Sequence, residues 1–288
     1  HQIIRQNGYQ LKTYTVTTLD GYILTMFRIP PRENDNRKNK QPVYIQHGIA
    51  ADSATWVATG NRSLAFNLAD EGYDVWLGNQ RGTRYSRKHA ILKDSDFEYW
   101  NYNLDDQALN DIRTSLHEIE RITRKRGSII YIGHSKGTTL SFMFASQYPE
   151  EAQTLLRGVI ALSPIAYLDV ADYLKFPVMV AHRAIDDLLV IYSHFPSTVS
   201  LTDLQHYAQM YTSKKFQKFD FGPEKNLEAY GQRTPPRYHL DNIKLPVFLF
   251  YGKDDPWVRE SVYLLKFKLI FLQKIIICFR VSKNCLKN

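Results

Sequence analysis

Cysteine is nearly absent from this chain of 288 residues: the two that occur, Cys278 and Cys285, both lie near its C-terminal end. The residues before Cys278 can therefore form no disulfide and no cysteine-based metal site. An initiator methionine and an apolar leader are also missing, since the chain begins at His1, and we interpret it as a mature form or a fragment. The sequon Asn61-Arg62-Ser63 is weakly consistent with secretion.

Acidic residues are missing from the last part of the chain. Lys266–Asn288 contains six basic residues and no acid, so of the net charge of +8 only +2 remains for residues 1–265. A region with so small a net charge lacks the excess of positive charge that is typical of nucleic-acid-binding domains. We therefore exclude nucleic acid as a partner. Lys268 and Lys274 interrupt the apolar run Phe267–Val281 too often for a transmembrane span, and none is predicted.

The order of predicted elements is two strands and then alternating strands and helices. This order predicts a mainly parallel sheet with helices on both faces. Asp20-Gly21 predicts a hairpin between strands at 14–18 and 22–29. Further strands are predicted at 43–45, 73–77, 128–132, 159–162 and 246–251, and helices at 63–69, 105–125 and 137–146. From about Ile165 to Tyr238 helical stretches rich in Leu, Tyr, Phe and Met break the alternation, and we interpret them as an inserted cap.

The segment from Ile129 to Gly137 carries the strongest chemical signal. A buried strand is followed by Gly133-His134-Ser135-Lys136-Gly137, a G-x-S-x-G pattern, and then by a helix. A serine hydroxyl is a poor nucleophile and must project from a sharp turn towards a base, where glycines relieve the crowding. This context predicts Ser135 as the nucleophile. The alternative, an ordinary glycine-rich turn, is the weaker interpretation.

Two further segments supply what an acyl-transfer site requires. Gln46-His47-Gly48-Ile49 ends an earlier strand, so the backbone N–H groups of Ile49 and Lys136 are predicted to stabilise an oxyanion. His47 precedes the serine, whereas the base should follow it, and we interpret His47 as structural. Just beyond the strand after the cap, Asp254 and Asp255 are both candidates for the carboxylate that orients the base.

Many ordered matches surround these motifs: Asp20–Thr25, Arg28–Pro30, Gln46–Ile49, Ser63–Phe66, Gly72–Asn79, Arg81-Gly82, Tyr85-Ser86, Tyr230–Gln232 and Pro235-Pro236. Together they resemble the acid lipase family, which includes gastric lipase, lysosomal acid lipase and similar insect lipases. The likeness runs from about residue 3 to about Leu265. It implies an α/β-hydrolase fold with a core at 1–164 and 241–265, a cap at 165–240 and an atypical tail at 266–288.

The resemblance also implies the site and the reaction. It makes Ser135 the nucleophile and Ile49 and Lys136 the oxyanion donors, and it selects Asp255 over Asp254. The implied activity is hydrolysis of neutral lipid esters, triglycerides or sterol esters, at a lipid–water interface without cofactor or metal. The implied location is secreted or lysosomal. One departure is Lys136 itself, because the family usually has Gln or Met after the serine.

A histidine after the acid is the largest absence. The fold requires the order Ser, acid, His, but the nine histidines are His1, His47, His89, His117, His134, His182, His194, His206 and His239. The segment His239-Leu240-Asp241 looks like the family's His-Leu-Asp but precedes the acid, so we reject it. We attribute the match of Asn284-Cys285-Leu286 to the family's Asn-His-Leu to chance. We expect the last strand and helix to be lost or replaced, which would expose a sheet edge.

Two hypotheses for the function follow. The first is a lipid ester hydrolase with a defective C-terminus in this sequence, and the intact elbow around Ser135 favours it. The second is a catalytically silent lipid-binding or yolk-type protein on the same scaffold, which the missing base favours. Without a base, only about 10³–10⁴-fold catalysis over water is expected to remain. A dehalogenase or epoxide hydrolase is excluded, because those enzymes have Asp at the elbow.

Overall fold

The computed structural model of the chain describes residues 2–31, 40–167, 197–252 and 278–281. Its strands form one sheet in the order β1-β2-β4-β3-β6-β7-β8-β9, with β5 paired to β2. The strands are β1 Lys12–Thr17, β2 Tyr22–Ile29, β3 Pro42–Gln46, β4 Asp74–Leu77, β5 Lys88–His89, β6 Ile129–His134, β7 Leu156–Leu162, β8 Val247–Gly252 and β9 Cys278–Val281.

The sheet is parallel from β4 to β9 and antiparallel around β2. The prediction of a mainly parallel sheet is therefore confirmed. The predicted hairpin is also present, and its register runs from Lys12 opposite Arg28 to Thr17 opposite Ile23. Gly21 in its turn has a φ of 93°, which a residue with a Cβ rarely adopts.

Strand β9 corrects one expectation from the sequence. The last strand was expected to be lost or replaced and to leave a sheet edge exposed; Cys278–Val281 forms a strand in that place and pairs in parallel with β8, so the edge of β8 is not left unpaired. The register runs from Leu249 opposite Cys278 to Gly252 opposite Val281. Strand pairing joins backbone N–H and C=O groups, so this pairing satisfies the backbone groups along the edge of β8.

The described helices are α1 Gln2–Gln6, α2 Leu64–Asp70, α3 Leu104–Asp106, α4 Arg113–Thr123, α5 Lys136–Gln147, α6 Pro149–Leu155, α7 Leu201–Ser213 and α8 Pro223–Tyr230. A π-helical turn, Gln107–Ile112, joins α3 to α4, so the helix predicted at 105–125 is present but widened near its start. Helices α1 and α6 were not predicted. None of the described helices is both long and apolar enough to cross a bilayer.

The core lies on both faces of the sheet, and strand β3 shows why. Val43 and Ile45 pack with Phe66 of α2 on one face, whereas Tyr44 packs with Leu116 of α4 on the other. All residues of β3 are buried, as a central parallel strand covered by helices requires. This burial fixes the carboxyl end of β3, from which the predicted loop at Gly48 and Ile49 departs.

The predicted cap is described only in part, because residues 168–196 lie outside the described residues. Its boundaries at 165 and 240 stay a prediction. The described segment 197–240 contains α7 and α8 and is tied to the core by polar contacts. Asp105 in α3 accepts hydrogen bonds from Phe219 N at 2.8 Å and from Tyr238 Oη at 2.6 Å. This part of the cap is therefore anchored to the helix that precedes the π-helical turn.

Asp106, beside this anchor, provides a test of pH dependence. Burial raises the pKa of Asp106 to about 6, although its carboxylate accepts a hydrogen bond from Asn103 N at 2.9 Å. The unfolded pKa is about 3.9, so between roughly pH 4 and 6 only the folded state holds this proton. The proton on Asp106 therefore stabilises the folded state fully at pH values below about 4. This stabilisation is lost as the pH rises through 6, which lowers the free energy of unfolding by about 2–3 kcal/mol.

We therefore expect Asp106→Asn to remove this loss, so that the change in unfolding free energy from pH 4 to pH 6 is more favourable by about that amount than in the unmodified chain, measured by urea unfolding. Asn retains an oxygen for the bond from Asn103. Asp96→Asn is the matched control, because Asp96 accepts from the residue three positions earlier, Lys93 N at 2.8 Å, in a surface turn. An unchanged slope in Asp106→Asn would contradict the assignment.

Candidate active site

Ser135 lies between β6 and α5 with a backbone conformation that few residues adopt. Its φ is 51° and its ψ is −117°, and such strain, costing about 1–3 kcal/mol, is characteristic of functional sites. Ser135 N donates to Leu162 O at 3.0 Å, and Ser135 O accepts from Thr138 N at 2.9 Å. These two hydrogen bonds join the sharp turn at Ser135 to the end of β7 on one side and to the first turn of α5 on the other. Ser135 is only half-buried, whereas Lys136 after it is buried.

The two glycines of the motif are required by space. A Cβ on Gly133 would lie 2.8 Å from the backbone of Gly137, and a Cβ on Gly137 would lie 2.6 Å from Gln46 O. Both distances are shorter than van der Waals contact, and the obstructing atoms are backbone atoms that cannot rotate away. Helix α5 can therefore pack against β6 and β3 only if both positions lack a side chain.

The loop after β3 reaches the nucleophile. A Cβ on Gly48 would lie 3.2 Å from Ser135 Cβ, so the loop passes directly beside the serine. Ile49, the predicted oxyanion donor, is the next residue. Lys136, the other predicted donor, is the first residue of α5, where a backbone N–H has no acceptor within the helix. The structure thus brings the segments of all three predicted residues together.

His47 orients the peptide that carries the predicted donor. Its Nε2 accepts a hydrogen bond from Gln80 N at 3.1 Å, so Nδ1 carries the proton and donates to Gly48 O at 2.9 Å. In a trans peptide the N–H points opposite to the C=O, so this bond also directs the N–H of Ile49. Burial lowers the pKa of His47 to about 3, which keeps the ring neutral. A neutral imidazole ring with both nitrogens hydrogen-bonded suits a structural role.

The side chain of Lys136 makes a contact that sequence reasoning missed. Its ammonium group is buried and forms an ion pair with Asp203 in α7. The sequence contains only an indirect signal, because a lysine at the start of a central helix requires an acidic partner, and 67 residues separate the two.

Other predicted residues lie apart from this cluster or beyond what the structure describes. Asp254 and Asp255 are outside the described residues. His239 is 64% exposed, precedes β8, and has Asp241 Oδ1 at 3.9 Å from its Nδ1. Within the described ranges, no group of three or more His, Cys, Asp or Glu side chains could hold a metal ion.

Comparisons with known proteins agree with this geometry. A sequence profile described as "Partial alpha/beta-hydrolase lipase region" matches residues 1–60, and one described as "alpha/beta hydrolase fold" matches residues 41–274. Two solved structures share the fold. A putative lipase from Acinetobacter baumannii has a TM-score of 0.54 at 16% identity and covers 98% of this chain and 87% of its own. A putative aryl esterase from Burkholderia cenocepacia has a TM-score of 0.54 at 14% identity, covering 93% and 89%.

Sequence relatives are more specific. Gastric triacylglycerol lipase of Rattus norvegicus is 33% identical over 312 residues, covering 88% of this chain and 78% of the relative. Lysosomal acid lipase/cholesteryl ester hydrolase of Homo sapiens is 32% identical over 314 residues, covering 90% and 78%. Identity of this extent shows common descent along most of both chains. The chain therefore belongs to the acid lipase family of α/β-hydrolases.

Proposed function

We propose that this protein is a carboxylic ester hydrolase that acts on neutral lipid esters through Ser135. The observation that carries the proposal is the strained backbone of Ser135 at the junction of a core strand and a helix, with the loop of Gly48 beside it. The names of the relatives, a triacylglycerol lipase and a cholesteryl ester hydrolase, support triglycerides or sterol esters as the substrate class. Their gastric and lysosomal origins support a secreted or lysosomal location.

In the proposed reaction, Ser135 Oγ attacks the ester carbonyl carbon. The carbonyl oxygen becomes an oxyanion, which the N–H groups of Ile49 and Lys136 stabilise, and loss of one such donor typically reduces the rate about 10²–10³-fold. Asp255 would orient a histidine that takes the proton of Ser135 and passes it to the departing alcohol, and water activated by the same histidine would then hydrolyse the acyl-enzyme to the free acid and Ser135. No histidine follows Asp255 in these 288 residues, so the Ser–acid–His order is not completed within them.

The test restores that histidine. We expect a chimera, in which residues 266–288 are replaced by the corresponding C-terminal part of rat gastric triacylglycerol lipase, to hydrolyse p-nitrophenyl butyrate. Ser135→Ala in the chimera should reduce kcat/KM by roughly 10³-fold or more, because the hydroxyl forms the acyl-enzyme. Ser128→Ala, a partly buried serine just before β6 whose hydroxyl donates to Arg126 O at 3.3 Å, is the control and should retain the rate. If Ser135→Ala also retains it, the nucleophile assignment is wrong.

Glycosylation of Asn61 provides a test of the proposed secreted or lysosomal location. Asn61 is exposed in a short 3₁₀ turn, as an N-glycosylation site must be. Protein produced in secreting cells should lose mass on treatment with a glycosidase. Unchanged mass would count against glycosylation at Asn61.

Within these 288 residues no histidine follows Asp255, and this observation favours a second candidate, a catalytically silent lipid-binding protein on this scaffold. In that case the unmodified chain should bind a fluorescent cholesteryl or glyceryl ester without releasing its acyl group. Sequencing of the transcript across the codons after Leu265 separates the two candidates. A spliced form with a histidine roughly thirty residues past Asp255 supports the hydrolase, and confirmation of the sequence as printed supports the silent protein.

A further inference from the structure

The ion pair between Lys136 and Asp203 joins the nucleophile turn to the described part of the cap. The two side chains are 5% and 1% exposed. The second carboxylate oxygen of Asp203 accepts a hydrogen bond from Gln107 Nε2 at 2.6 Å. Removing two charges from water is costly unless both are paired and hydrogen-bonded, and here both carboxylate oxygens have partners.

Helix geometry adds a reason for the pairing. Lys136 is the first residue of α5, where the helix dipole disfavours a positive side chain. Asp203 lies in the first turn of α7, where the dipole favours a negative one. Because Asp203 lies directly against the ammonium group, it neutralises an unfavourable charge at the amino end of α5.

A second contact lies one turn further along both helices. Thr139 Oγ1 and Tyr207 Oη are 3.1 Å apart. Residues three or four positions apart share a helix face, so Lys136 and Thr139 of α5 meet Asp203 and Tyr207 of α7 along one line of contact. The partner of Asp203 in the core, Gln107, belongs to the π-helical turn, a feature frequent at functional sites.

We infer that Lys136 is a positioning residue whose ammonium group, held by Asp203, fixes the orientation of its own backbone N–H. Side chain and N–H share one Cα, so a rigidly held side chain restricts rotation of the peptide that carries the oxyanion donor. The inference rests on the proposed function, since only a hydrolase uses this N–H. It assigns to α7 a direct influence on the oxyanion site, through a residue at which the family usually has Gln or Met.

The experiment uses the unmodified chain and three variants: Lys136→Met, Asp203→Leu and the double variant Lys136→Met/Asp203→Leu. Each single variant leaves one buried charge unpaired, whereas the double variant leaves none. Hydrogen exchange over residues 201–213, measured by mass spectrometry, should rise about tenfold or more in each single variant and fall back in the double variant. Equal exchange in all four proteins would show that the pair does not hold α7.

A second measurement separates positioning from simple stabilisation. With lysine selectively isotope-labelled, the amide resonance of Lys136 is identified by its loss in Lys136→Arg. We expect Asp203→Asn to shift or broaden this resonance and Asp203→Glu, which keeps the charge, to restore most of its position. If Asp203→Asn speeds hydrogen exchange in α7 but leaves the resonance unmoved, the pair is only structural and the inference is wrong. Both measurements are independent of ester hydrolysis, so failure of the proposed function would be seen separately in the chimera.

Discussion

Replacing Arg81 by Met is expected to lower the free energy of unfolding by about 3–5 kcal/mol. The guanidinium group is fully buried, and it donates to Asp111 Oδ1 at 2.6 and 2.8 Å and to Asp20 Oδ2 at 2.6 Å. It also lies 3.9 Å from the ring centroid of Tyr22. Burial works to lower the pKa of Arg81, but the two carboxylates outweigh it and hold this pKa above its usual value.

The expected loss of stability is large because Arg81→Met leaves the buried carboxylate of Asp111 without its cation. The side chain of Asp111 is 3% exposed, and without Arg81 its charge would have no cationic partner in this contact. The double variant Arg81→Met/Asp111→Asn removes that charge and should recover part of the stability in urea unfolding. Arg121→Met is the matched control, since Arg121 also pairs with an acid, Glu118, but is 63% exposed. A loss no larger than that of the control would refute the argument.

Gly137→Ala is expected to destabilise the protein by roughly 3 kcal/mol and to displace the nucleophile turn. The added Cβ would lie 2.6 Å from Gln46 O and 3.0 Å from His47 O, both backbone atoms at the end of β3. To make room, α5 and β3 must move apart. That movement would separate Ser135 from the loop at Gly48, so ester hydrolysis by the chimera should be lost together with stability.

Gly127→Ala isolates the conformational part of a glycine substitution. Gly127 has a φ of 64°, but a Cβ there would lie 3.6 Å from Gln153 O, which is an ordinary van der Waals contact. The left-handed conformation alone costs roughly 1–2 kcal/mol. Thermal or urea unfolding should therefore rank Gly137→Ala as the more damaging change. The reverse order would mean that α5 and β3 are not as close as the structure describes.

Much of the fold follows from local sequence patterns. The Asp20-Gly21 turn of the hairpin, the apolar strand before Ser135 and the helix at residues 105–125 are all encoded by near neighbours in the chain. Helix α6 was missed because its seven residues carry little apolar periodicity. The π-helical turn Gln107–Ile112 was missed because its widening accompanies distant contacts, such as that of Gln107 with Asp203.

The sequence by itself determined the family and the mainly parallel sheet, and it predicted Ser135 as the nucleophile, because a buried strand, two glycines and a helix are encoded within a few residues. It also shows that none of the residues from 256 to 288 is a histidine. Only the tertiary structure decided that Lys136 is buried against Asp203, that His47 is neutral and directs the peptide of Ile49, and that β9 covers β8. These features depend on desolvation and on contacts between residues far apart in the chain, and a local pattern encodes neither.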